Sequence, residues 1–105
     1  MYFLIEREAA ATVLRLKSPE CEDGTNRLTR ARVLALTKAV AELGCKHEPR
    51  PLIITGNHRF FSAGADLDEI TRLTGPEAYD FAAMGQRLMN TMASFPAATF
   101  AAVEG

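Results

Sequence analysis

The run Pro51-Leu52-Ile53-Ile54-Thr55 is apolar almost throughout, and at Gly56 it gives way to a polar, glycine-bearing stretch that reaches Asp66. A short apolar run closed by a turn signal reads as a strand, and its near-continuous hydrophobicity suits a strand covered on both faces. The stretch Asn57-His58-Arg59-Phe60-Phe61-Ser62-Ala63-Gly64-Ala65 carries turn residues, and Asp66 has a carboxylate suited to opening a helix. A strand therefore runs into a bend, and the bend lifts backbone N–H groups clear just before a helix begins. Such groups can bind an oxygen on which negative charge is growing.

The elements around this unit follow from periodicity. Tyr2–Glu6 and Thr12–Lys17 read as two short strands joined by a tight Ala-rich turn. A polar loop over Ser18–Asn26 leads to a helix from Leu28 to about Leu43. Val33, Leu36, Val40 and Leu43 share one face of it, Arg30, Lys38 and Glu42 point to water, and Gly44 is placed to end it. A short helix from Asp66 breaks at Gly75-Pro76, and Pro76 fits the first turn of a longer helix reaching about Ser94. Phe81, Met84, Leu88, Met92 and Phe95 form its apolar stripe, which reads as core packing. Pro96 stops it, and Thr99–Val103 looks like one more buried strand. The order is β-β-α-β-α-α-β, an α/β class.

With 105 residues the chain fits one small domain. A net charge of −1 and the lack of a basic run leave no electrostatic case for nucleic acid or a membrane surface. No apolar stretch is long enough to span a bilayer. Met1–Ile5 is followed at once by Glu6, Arg7 and Glu8, unlike a secretory signal, so a cytoplasmic setting is expected. Cys21 and Cys45 are isolated, without metal spacing, and read as free thiols.

The string from Ile53 to Leu67 resembles the crotonase family, also called the enoyl-CoA hydratase/isomerase family, whose members act on acyl-CoA thioesters. Asn26 in Gly24-Thr25-Asn26-Arg27-Leu28 matches a family asparagine at the start of the first helix. Pro19 matches the proline after the second strand, and Ala101–Gly105 looks like a family strand-end motif. The resemblance implies the opening β-β-α turns of a spiral fold, with residues 1–105 as the N-terminal portion of one domain. It implies that the backbone N–H of Ala65 is an oxyanion-hole donor, and that Ala63, Gly64, Asp66 and Leu67 form the adjoining substrate-binding segment. Losing one such donor typically costs about 3 kcal/mol of barrier. Coenzyme A enters as part of the substrate; no separate cofactor and no metal are implied.

In the family a second donor comes from a glycine-rich turn just after the position of Gly105, and the proton-moving carboxylates come from there onward. The isolated chain is therefore expected to be inactive. Family members form trimers, often paired into hexamers, and the resemblance implies the same of a complete form. Hydration of a 2-enoyl-CoA is the default reaction; the alternative is a truncated, non-catalytic CoA-binding or assembly module. Tyr79 and Gln86 lie in a region from which the family partly lines its acyl pocket. His58 reads as a solvated loop residue, and Asp68, Glu69, Glu77 and Asp80 read as helix-start charges.

Overall fold

The computed structural model describes residues 2–17 and 24–105. Four strands and three helices follow in the order β1 (Phe3–Arg7), β2 (Thr12–Leu16), α1 (Arg30–Gly44), β3 (Leu52–Thr55), α2 (Leu67–Ile70), α3 (Gly75–Ala93) and β4 (Thr99–Ala102). This is the order that the hydrophobic pattern predicts. The proposed free thiol Cys21, Pro19 and most of the Ser18–Asn26 loop lie outside the described residues.

The four strands lie side by side in chain order. β1 and β2 form an antiparallel pair, closed by a turn in which Glu8 N–H donates to Ala11 C=O at 2.9 Å. β3 runs parallel to β2, and β4 parallel to β3. A parallel neighbour can be reached only by a crossover, and the helices supply these. The register puts Leu14 beside Ile54 and Thr12 beside Leu52. Leu14, Leu16, Leu52 and Ile54 consequently share one sheet face, and all four are buried against α1 and α3.

Val33, Leu36, Val40 and Leu43 of α1 and Met84 and Leu88 of α3 close that core, with Phe81, Met92 and Phe95 packed at its edge. Leu14, Leu52, Val40 and Leu88 are among the most deeply buried side chains, each removing about 1.5–3 kcal/mol worth of apolar surface from water. Arg30, Lys38 and Glu42 are exposed, as the helical period requires.

Several expectations need correction. β3 is not covered on both faces: Leu52 and Ile54 point into the core while Ile53 is only half-buried, because helices pack on one side of the sheet. β4 is not a buried strand either. All four of its residues are exposed, since it is the last strand of the sheet and has no neighbour beyond it among the described residues. α1 begins two residues later than the apolar pattern indicates, where Thr29 accepts from Arg32 N–H and acts as the N-cap. α1 does end at Gly44, as expected, but not through a left-handed turn; Cys45 caps it in a right-handed conformation, donating to the carbonyls of Ala41 and Glu42. The missing side chain of Gly44 matters for packing instead, because a Cβ there would come within 3.2 Å of Pro96. Cys45 is free and exposed.

Candidate active-site loop

The C-terminal end of β3 turns sharply at Gly56. A Cβ on this residue would lie 2.3 Å from the Phe60 carbonyl oxygen and 2.6 Å from that of Phe61, so only glycine lets the loop fold back this closely. Asn57 holds the turn. Its N–H donates to Phe60 C=O, its Oδ1 accepts from the N–H groups of Arg59 and Phe60, and its Nδ2 donates 2.8 Å to Gly24 C=O.

That last bond reaches a second segment, residues 24–28, which lies alongside the loop. Asn26 is fully buried with φ 53°, and its Nδ2 donates to Phe61 C=O at 3.1 Å. Ser62 returns the contact, its hydroxyl donating 2.8 Å to Asn26 C=O, and Ala63 N–H donates to Thr25 C=O. Asn26 therefore does not start the first helix, as the resemblance implied. It stitches two loops together three residues ahead of the Thr29 cap. The pairing of Asn57 and Ser62 with this segment was not foreseen; their Gly-Asn and Ser-Ala-Gly settings signal turn residues, but not which distant loop they hold.

Leu28 then forms an isolated parallel bridge with Ala65. Its N–H donates to Gly64 C=O at 2.7 Å, and its C=O accepts from Asp66 N–H at 3.0 Å. In a parallel bridge of this kind one residue bonds both neighbours of its partner, and the partner's own groups turn the other way. Ala65 is that partner. Its N–H faces away from Leu28, has no acceptor among the described residues, and belongs to an exposed residue. Gly64, at φ 86°, supplies the left-handed bend that sets this orientation.

The neighbouring candidate residues divide into two groups. Gly64 and Asp66 have engaged backbones: Gly64 N–H donates to Ser62 Oγ, and Asp66 C=O accepts from Ile70 N–H. Ala63 keeps its carbonyl free of hydrogen-bond donors among the described residues, and Leu67 keeps its N–H free of acceptors. The first group shapes the loop, and the second has groups left to offer. Asp66 caps α2 as expected, accepting from Glu69 N–H at 3.1 Å. However, α2 is a single four-residue turn, too short to carry the macrodipole that a longer helix would direct at the site.

Ala65 also borders a 340 Å³ hollow lined by Leu28, Ile70, Leu73, Phe81, Ala82 and Gly85 among others. Tyr79 and Gln86 do not line it; both are exposed on α3. His58 is exposed, as are Asp68 and Asp80. Glu69 does more than face its own helix dipole, because its carboxylate accepts 2.6 Å from Arg30 N–H at the start of α1. Glu77 forms a reciprocal capping box with Thr74. The Thr74 backbone and hydroxyl contacts, aided by Arg30, hold its carboxyl below the ordinary value of 4.5. Among the described residues no three His, Cys, Asp or Glu side chains group to hold a metal, and no helix is long and apolar enough to cross a membrane.

The fold is shared with solved structures. An enoyl-CoA hydratase structure from Bacillus anthracis superposes with a TM-score of 0.89 at 21% identity, over 100% of this chain and 40% of that one. The OdaA structure from Pseudomonas aeruginosa gives 0.75 at 27% identity, over 99% of this chain and 40% of that one. In sequence, the probable enoyl-CoA hydratase EchA17 of Mycobacterium tuberculosis is 32% identical over 99 residues, which are 94% of this chain and 36% of the relative. The crotonyl-CoA hydratase of Syntrophomonas wolfei is 30% identical over 103 residues, 97% of this chain and 38% of the relative. The chain thus spans well under half the length of the relatives it matches. A family model described as enoyl-CoA hydratase/isomerase covers residues 6–105, which takes in the Asn26 stitch, the Ala65 loop and β4 alike. With sequence, fold and loop in agreement, the chain belongs to the enoyl-CoA hydratase/isomerase family.

Proposed function

We propose that this chain supplies one half of an oxyanion site for acyl-CoA thioesters, with the Ala65 N–H as donor and hydration of a 2-enoyl-CoA as the reaction. The observation that carries the reading is the unpaired Ala65 N–H, held outward by the two Leu28 bonds on either side of it. A donor fixed in this way stabilises an enolate-like oxygen without reorganising during the reaction. The apolar hollow beside Ala65 suits the acyl chain, and the free Ala63 carbonyl and Leu67 N–H suit the nucleotide end of coenzyme A. The second donor and the acid and base carboxylates are assigned to sequence outside these 105 residues. The same reading assigns the complete protein to the cytoplasm and to a trimer or hexamer.

Titration of the ¹⁵N-labelled chain with crotonyl-CoA tests this. The amides of Ala65 and Leu67 should shift saturably, while loss of the enoyl-thioester absorbance stays at background. Unmoved amides at both positions would remove the thioester reading. Turnover by the chain alone would show that no outside groups are needed. A second reading, a non-catalytic CoA-binding or assembly module, is favoured by the apolar surface on β4 and just beyond it, where Phe100 is 57% and Val103 64% exposed.

A further inference from the structure

A different hollow lies at the opposite end of the parallel strands, where α1 ends and β2 and β3 begin. It holds about 80 Å³ and is lined by Arg7, Thr12, Lys46, His47, Glu48 and Arg50, among others. The Ala65 loop follows the far end of β3, so the length of that strand separates the two places. Three permanent cations (Arg7, Lys46 and Arg50) and a histidine line this space with a single carboxylate, Glu48, in a chain whose net charge is −1. The one ion pair among the described residues, Arg15 with Glu6, uses none of them.

Arg50 is held in place. Its Nη2 donates to the carbonyls of Glu8 and Ala9 in the β1–β2 turn. A guanidinium carries five N–H donors, and the Nε and Nη1 hydrogens of Arg50 have no acceptor among the described residues. Cations just past a helix C-terminus have a structural explanation in the helix dipole, which covers Lys46 and His47. It does not cover Arg7 from β1, nor the hydrogens that Arg50 leaves unused. A single water needs about 10–15 Å³ of such space, so the hollow has room for a four-oxygen anion.

We infer that this hollow binds a phosphate dianion, free or as a terminal ester, with Arg50 as the fixed donor and Arg7 and Lys46 supplying the surrounding charge. The inference is independent of the thioester reading.

The ¹⁵N-labelled 105-residue chain is titrated with sodium phosphate at constant ionic strength, chloride making up the balance. Saturable shifts are expected at the amides of Lys46, His47, Glu48 and Arg50. Arg50→Lys should weaken binding about tenfold, as expected for losing a charged hydrogen bond. Lys46→Gln, which breaks no bond in the fold, should weaken it severalfold, and this variant keeps the test meaningful if Arg50→Lys disturbs the β1–β2 turn. A parallel titration with coenzyme A separates sources: saturation by phosphate alone assigns a free anion, and saturation by both assigns an ester as well. Shifts that never saturate, or that are the same in Lys46→Gln and Arg7→Gln, would overturn the inference.

Discussion

Asn26 and Phe61 stand 35 residues apart in sequence and are joined by a 3.1 Å bond from the Asn26 side-chain amide to the Phe61 carbonyl. This bond, with the return bond from Ser62, ties the loop that carries Ala65 to the segment that leads into α1. Two requirements meet at Asn26: a buried donor and a left-handed backbone. They can be separated by substitution. Asn26→Gly keeps the backbone freedom and loses the donor, which should cost about 1–3 kcal/mol. Asn26→Ala loses both and should cost about 1 kcal/mol more. Urea unfolding of the two variants checks this, and equal costs would refute the backbone part.

Gly56 and Gly64 should fail for opposite reasons. Alanine at Gly56 would drive its Cβ against backbone atoms of Phe60 and Phe61, which cannot rotate away. Alanine at Gly64 meets nothing within 4 Å, and its cost is the left-handed φ alone, about 1 kcal/mol. Gly56→Ala should therefore lower the unfolding midpoint clearly more than Gly64→Ala. The reverse order would contradict the geometry of the turn.

The capping box gives a pH dependence with a defined sign. The Glu77 carboxyl is more acidic in the fold than its ordinary 4.5, so the folded state favours its charged form. Its contribution is present above that value and is lost as the pH falls through the lower, folded value. Glu77→Gln keeps an acceptor for Thr74 N–H but not the charge. The stability gap between the parent and this variant should be largest near neutrality and close in acid. A gap that grows on acidification would reverse the assignment.

β4 should make the chain self-associate. Thr99, Phe100, Ala101, Ala102 and Val103 carry no charge, and β4 is an edge of the sheet with exposed apolar side chains. Edges of this kind template pairing with another strand, and a lysine is a common block. Sedimentation should show concentration-dependent association of the parent and less of it for Phe100→Lys. Identical behaviour of the two would place the contact elsewhere.

Element order was legible from sequence because each element carries its own period. The α1 face through Val33 and Leu43 and the α3 stripe from Phe81 to Met92 fix both helices against the core. Layering was less legible. Ile53 is as apolar as Ile54, and only the one-sided placement of the helices decides which is buried. The same limit applies to β4, whose apolar residues read as core but sit at an edge. At the candidate site, the strand-to-bend transition and the special place of Gly64 could be read directly. The Leu28–Ala65 bridge could not, because it joins residues far apart through backbone atoms, on which side-chain chemistry leaves no mark.

The left-handed bend at Gly64 has one further consequence. A mirror-image residue adopts a positive φ as readily as an L-residue adopts a negative one, so the bend should accept it. In a chain assembled by chemical ligation, D-alanine at 64 would match φ 86° and narrow the unfolded ensemble. The D-residue should then raise the melting temperature where its L-counterpart lowers it, with the Ala65 amide still turned outward.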